Sequence, residues 1–175
     1  AGHDMKQMRA DPDLHCYESL FAASSRLMLA LMQLTKPVIA KVAGTATAAG
    51  AQLVASCDLA IASDDALFST PGVDIGLFCS TPMVALSRNI PPKQTMEMLL
   101  TGAPIDARAA AAMGLINKAV PAGKLDDAVA ELATTIISKP ARVIALGKQA
   151  YYRQLEMGVS DAYAFAGRVM ASNMM

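Results

Sequence analysis

The chain has no tryptophan, and aromatic residues make up only 5% of its 175 positions. Proteins that hold single strands by base stacking need Phe, Tyr or Trp platforms, so this shortage argues against a nucleic-acid partner. An excess of one charge is missing too. Fifteen Lys and Arg stand against fifteen Asp and Glu, which removes the basic field such a partner would require. No run reaches the roughly 18 uninterrupted apolar residues of a membrane span. The densest stretches, Val42–Ala55 and Ala128–Ile137, are interrupted by Thr, Gly, Gln or Glu, so no membrane insertion is expected. Cysteine is sparse: Cys16, Cys57 and Cys79 form no Cys-x-x-Cys and no Cys/His ligand cluster, so no metal site is expected. Their odd number fits a reducing compartment. No signal peptide or other targeting segment is visible.

What is abundant is apolar residue. At 54% hydrophobic and 17% charged, with a mean hydropathy of +0.35, the composition calls for a large core, an obligate oligomer, or both. The length is that of one domain. His15-Cys16 resembles a base–nucleophile pair only in sequence. Neighbours on a helix do not share a face, so the pair is read as accidental.

Asp4-Met5-Lys6-Gln7 opens a helix, with Asp4 as N-cap and Gln7 as its capping-box partner. Apolar residues at Leu20, Phe21, Leu27, Met28, Leu31 and Met32 predict a second helix over Tyr17–Leu34, broken by Thr35-Lys36-Pro37. Val38–Val42 reads as a strand covered on both faces. Gly44–Gly50 reads as a turn and Gln52–Ser56 as a brief helix. Strands follow at Leu59–Ala62 and Ala66–Phe68, and Ile116–Val120 is extended. Further helices are predicted over Pro92–Leu100, stopped by Gly102, and over Asp106–Met113, stopped by Gly114. Three amphipathic helices close the chain at Leu125–Ile137, Val143–Leu155 and Ser160–Ala171. No strand precedes the turn at Ala1–Asp4, so the chain is expected to be a fragment of a longer protein.

Two segments carry the chemistry. Lys36-Pro37-Val38-Ile39-Ala40, followed by Gly44–Gln52, is a buried strand running into a small-residue turn, Ala48-Ala49-Gly50, that opens a helix. Such a turn lets a ligand reach bare backbone N–H groups. Thr70-Pro71-Gly72-Val73-Asp74-Ile75-Gly76-Leu77 is a Pro/Gly-rich loop with one carboxylate. With Ala1-Gly2-His3-Asp4-Met5-Lys6-Gln7-Met8 these segments resemble the enoyl-CoA hydratase/isomerase (crotonase) family. The resemblance extends through Leu53, Cys57-Asp58-Leu59-Ala60, Met96–Gly102 and Ala110–Pro121. It is nearest to the mitochondrial-type branch of enoyl-CoA hydratase domain-containing proteins, which shares Ala-Ala-Gly, Gln and Thr-Pro-Gly at these places.

The resemblance implies an α/β fold of the ClpP/crotonase superfamily, a ββα superhelix with a C-terminal helical region. Residues 1–120 would form the acyl-CoA-binding core, without the family's first strands, and residues 121–175 a helical trimerisation region. It implies an oxyanion hole made by the backbone N–H groups of His3 and Ala49. It implies an acyl-CoA partner contacted by Ala1, His3, Asp4, Met5, Ala49, Gln52, Pro71, Gly72 and Leu77, with no cofactor beyond the coenzyme A thioester itself. The expected assembly is a homotrimer or hexamer, in the cytoplasm of a bacterium or the mitochondrial matrix of a eukaryote.

The two positions where hydratases carry catalytic glutamates are here Gln52 and Gly72. Hydration needs a base to activate water and an acid to deliver a proton. Gln52 can orient water but cannot titrate, and Gly72 has no side chain. Asp74 is the nearest substitute: if residues 72–74 are extended, it faces the same side as position 72, about 7 Å along. Gln52 and Asp74 are therefore the candidate catalytic residues. The competing reading makes Asp74 a turn residue and the protein a non-catalytic acyl-CoA-binding or assembly subunit. If hydratase function has been lost at these two positions, Gln52→Glu with Gly72→Glu should create activity, provided Gly72 tolerates a side chain; if Asp74 already serves, the parent is active and Asp74→Asn abolishes activity. A lone His is usually structural or solvated, so the His3 side chain is read as non-catalytic. Serine peptidase chemistry on the related scaffold is set aside, because no Gly-x-Ser-x-Gly elbow exists.

Overall fold

The computed structural model describes residues 2–10 and 12–175. Two helices come first, one short and one long. Asp4 caps α1 (Met5–Ala10), its Oδ1 accepting the Lys6 and Gln7 N–H groups at 2.9 and 3.3 Å. Asp13 caps α2 (Leu14–Gln33), so that helix begins three residues before the expected start at Tyr17. The Cys16 N–H donated to Asp13 at 2.8 Å lowers that carboxyl's pKa.

Two small sheets follow. β1 (Ile39–Val42), β3 (Leu59–Ser63) and β6 (Lys118–Val120) form a parallel sheet in the order β1-β3-β6, with Ile39 opposite Leu59 and Ile61 opposite Lys118. β2 (Ala46–Thr47), β4 (Leu67–Ser69) and β5 (Ile105–Asp106) form the second. There β4 pairs parallel with β2 and antiparallel with β5. The stretch expected as one turn, 44–50, is thus divided: two of its residues pair with β4, and α3 (Ala49–Ser56) starts earlier than expected.

α4 (Ser80–Leu86) was not expected from the sequence at all; its seven residues are too few to show a period. α5 (Pro92–Thr101) ends on Gly102 at φ +66°, and α6 (Ala107–Ala112) is capped by Asp106. Gly114, just past α6, also takes a positive φ, +88°. Both glycines sit where a left-handed residue ends a helix. α7 (Leu125–Ile137), α8 (Ala141–Gln154) and α9 (Val159–Met174) complete the chain.

The main core packs Phe68, Leu86 and Met98 with small residues such as Ala62, Ala66, Ala107 and Ala110, drawn from both sheets and from α3–α6. The alanines let helices approach the strands closely. A second cluster joins Ile61 to Leu125 and Ala128, seating α7 on the first sheet. Helix α8 is anchored differently. Lys148, buried, donates from Nζ to the Leu31 and Lys36 carbonyls at 2.9 and 3.1 Å and pairs with Asp58 Oδ2 at 2.7 Å.

Candidate active site

The site begins with a strained backbone. Ala48 has φ +50° and ψ −114°, and it is the one non-glycine among the described residues with a positive φ. An L side chain pays about 1–3 kcal/mol in such a region. The surrounding structure imposes it. The Ala48 N–H donates to the Ser69 carbonyl at 2.9 Å, continuing the β2–β4 ladder, and Ser69 Oγ donates to Thr47 Oγ1 at 3.0 Å. Directly after this kink the chain enters α3, so the Ala49 N–H stands at a helix start with no intrahelical acceptor. The N-terminal segment is pressed against the same point. A Cβ on Gly2 would lie 3.1 Å from Ala48 Cβ and 3.7 Å from the Ala49 nitrogen. The two turns expected to supply the oxyanion donors therefore meet in space. Ala1 lies outside the described residues.

Beside this junction is a cavity of about 170 Å³, walled by Phe21, Ala48, Ala49, Leu77, Phe78 and Pro82 and bearing His3 and Cys79. No Asp or Glu lines it. Larger grooves of about 340 and 520 Å³ lie elsewhere. The first, around Pro37, Ile39, Ile136, Ile137 and Ile144, and the second, along β1, offer neither a carboxylate nor a buried unpartnered polar atom.

Two buried side-chain atoms have no hydrogen-bond partner within the described structure: His3 Nε2 and Gln52 Oε1. Gln52 is buried on α3, on the face it shares with Ala49 three residues earlier. The His3 ring is fixed edge-on against Phe21, with centroids 5.6 Å apart. His3 also lines a second cleft with Asp4, Gln7, Met8 and Tyr17. Met5 is half-buried on α1.

The loop after β4 differs from expectation. Pro71–Ile75 is a 3₁₀ helix, not an extended strand, so Asp74 does not follow Gly72 on one face. Asp74 is exposed, and its Oδ2 lies 3.2 Å from where a Cβ on Gly102 would stand, beside the end of α5 and outside the cavity lining. Pro71 packs against the same glycine. Gly72 is buried, and the chain folds back on it: the Leu77 N–H donates to the Gly72 carbonyl at 2.8 Å. A Cβ there would stand 2.1 Å from the Leu77 carbonyl oxygen and 2.9 Å from Cys79 Sγ. Leu77 reaches the cavity; Asp74 and Pro71 are not among its lining residues. Phe78, Cys79 and Pro82 escaped the sequence reading because α4 did. Their one local signal was Ser80-Thr81-Pro82, a helix-start pattern with proline in the first turn.

The sequence model describing enoyl-CoA hydratase/isomerase matches residues 1–174. The chain belongs to the enoyl-CoA hydratase/isomerase family. A relative in Rattus norvegicus, the mitochondrial enoyl-CoA hydratase domain-containing protein 3, is 45% identical over 174 residues, covering 99% of this chain and 58% of its own. The chain therefore spans less than two thirds of the curated relatives it matches. The crystal structure of a Mycobacterium smegmatis enoyl-CoA hydratase is 51% identical with a TM-score of 0.98, over 100% of this chain and 68% of that one. That of human enoyl-CoA hydratase domain-containing protein 3 is 44% identical with a TM-score of 0.94, over 99% and 69%. The fold is crotonase-like, as the resemblance implied.

Proposed function

We propose that this crotonase-family protein binds an acyl-CoA thioester, its carbonyl oxygen held by the backbone N–H groups of His3 and Ala49, without running the two-carboxylate hydration of the hydratases. The observation that carries the reading is the strained Ala48 turn, pinned by Ser69 and abutted by Gly2 at the mouth of a small apolar cavity. Strain of this kind persists only where the surroundings over-determine it, and it leaves the Ala49 N–H pre-aimed. Fixed donors of this sort stabilise charge as it develops on a thioester oxygen, and the start of α3 adds a partial positive charge.

The missing acids support the second half of the reading. Gln52 is neutral, Gly72 is sealed by Leu77, and Asp74 stands at Gly102. Gln52 is left as a group that orients a ligand or water through its unpartnered oxygen. The substrate contacts are His3, Ala49, Gln52 and Leu77, with Asp4 and Met5 on the coenzyme side. A hydratase reading, with Asp74 as the acid, is the alternative, and it requires that loop to rearrange.

Residues 121–175 would serve assembly into trimers, in the mitochondrial matrix if the source is eukaryotic and the cytoplasm if bacterial. Titration calorimetry with a panel of saturated and unsaturated acyl-CoA thioesters tests the core of the proposal. Binding is expected with little or no hydration of the unsaturated members. No heat of binding with any acyl-CoA up to millimolar concentration would refute it.

A further inference from the structure

We infer that the groove between α7, α8 and the lead-in to β1 is a second ligand site, and that it takes a free fatty carboxylate: a hydrocarbon tail with one anionic end. The groove has a volume of about 340 Å³, twice that of the cavity at Ala48–Ala49, and the two share no lining residue. The inference therefore does not rest on the acyl-CoA reading.

The walls suit the tail. Ile39 of β1, Ile136 and Ile137 of α7 and Ile144 of α8 converge on the groove. Three of the four are only half-buried, and Ile137 is 78% exposed. Apolar side chains exposed singly need no explanation. Four isoleucines that meet in one concavity from three elements form a surface shaped for hydrocarbon.

The rim suits the anion. Lys36 and Lys139 both line the groove, and no Asp or Glu does. The ion pairs among the described residues use Lys41, Lys124 and Lys148, so the Lys36 and Lys139 ammonium groups are in none of them. Lys139 follows the C-terminal end of α7, whose carbonyls suit a cation there with or without a ligand. That account does not reach Lys36, which comes from a separate segment. Helix α8 also opens at the groove. Ala141, its first residue, belongs to the lining, Pro140 offers no side-chain cap, and the first turn holds no acidic residue. The amides that begin α8 add partial positive charge to that of the two lysines. A bare anion would leave the isoleucines unexplained, and a plain hydrocarbon the cations. A carboxylate with an alkyl tail answers both.

Equilibrium dialysis of the protein against radiolabelled octanoate, acetate and octanol tests this. Octanoate is expected to bind about a hundredfold more tightly than acetate, since each buried methylene contributes up to about fourfold. It should bind about tenfold more tightly than octanol, the combined reach of two exposed ion pairs and a helix start. Lys36→Glu with Lys139→Glu should erase the preference over octanol. Both side chains are exposed, and the Lys36 carbonyl that accepts from Lys148 is kept, so the fold should survive, as circular dichroism would check. Ile137→Asp, at the exposed end of α7, should weaken octanoate binding about tenfold. Octanoate bound no better than octanol, or with unchanged affinity in either variant, would overturn the inference. So would its displacement by saturating butanoyl-CoA, which would put it in the cavity at Ala49 instead.

Discussion

Gly72 and Leu77 close on one another so tightly that a Cβ on the glycine would stand 2.1 Å from the Leu77 carbonyl oxygen, while the Leu77 N–H donates to the Gly72 carbonyl at 2.8 Å. The obstacle to a side chain at this position is backbone, which cannot step aside as a flexible side chain would.

Restoring the two glutamates is therefore not expected to restore hydration. Gly72→Ala should already cost about 3 kcal/mol or more, at or beyond the upper range for overpacking, and Gly72→Glu should cost at least as much. Gln52→Glu with Gly72→Glu should unfold at much lower denaturant concentration than the parent and show no gain in enoyl-CoA hydration. A stable, active double variant would mean that the 70–77 loop can open without breaking the fold. The gain of activity expected from the sequence depended on Gly72 tolerating a side chain, and the Leu77 backbone denies that condition.

At Ala48 the expected effect has the opposite sign. Glycine adopts φ +50° without strain, so Ala48→Gly should stabilise the protein by about 1 kcal/mol net of glycine's own entropy cost. Ala48→Val should destabilise it, since a branched side chain suits that conformation worst. Urea midpoints measure both. The same Ala48→Gly protein should bind acyl-CoA more weakly, because the Ala49 donor is less firmly aimed. Unchanged stability in both variants would remove the strain argument.

The Asp58 cluster governs how α8 stays attached. Asp58 Oδ2 accepts from Lys148 Nζ at 2.7 Å and from the Val38 N–H at 2.7 Å, and Tyr152 donates its hydroxyl to Oδ1 at 2.9 Å. Lys148→Met leaves a mostly buried carboxylate without its cation and should cost about 3–5 kcal/mol. Burial, then the hydrogen bond and charge of Asp58, raise the Tyr152 pKa above its ordinary value. The unfolded chain then releases that proton first as pH rises. The stability contributed by this group is complete below about pH 10 and declines as pH rises beyond it. Melting curves from pH 9 to 12 should fall less steeply for Tyr152→Phe. Identical slopes would show that the hydroxyl does not sense the carboxylate.

Association is expected through the C-terminal helices. No residue of α9 is fully buried, and Val159, Tyr163 and Met170 are each more than two-thirds exposed. Contiguous apolar surface of this kind marks a contact face. Light scattering should report an oligomer at micromolar concentration, weakened in Tyr163→Glu. A stable monomer would contradict the trimer implied by the family.

The sequence by itself determined much of the frame. Leu125–Ile137 was legible to the residue, since thirteen residues with a clear apolar face leave little freedom. The stops at Gly102 and Gly114 were legible because both take a positive φ, which glycine accepts most readily. The small-residue turn at Ala48–Gly50 and the neutral Gln52 were visible as written. The tertiary structure decided the rest. Whether Gly72 is an open or a sealed position depends on Leu77 returning to it, which no local pattern encodes. Asp74 was misdirected because residues two apart share a side in a strand but not in the 3₁₀ helix that forms here. His3 read as an incidental side chain. The structure sets its ring edge-on to Phe21, distant in sequence, and leaves Nε2 buried without a partner.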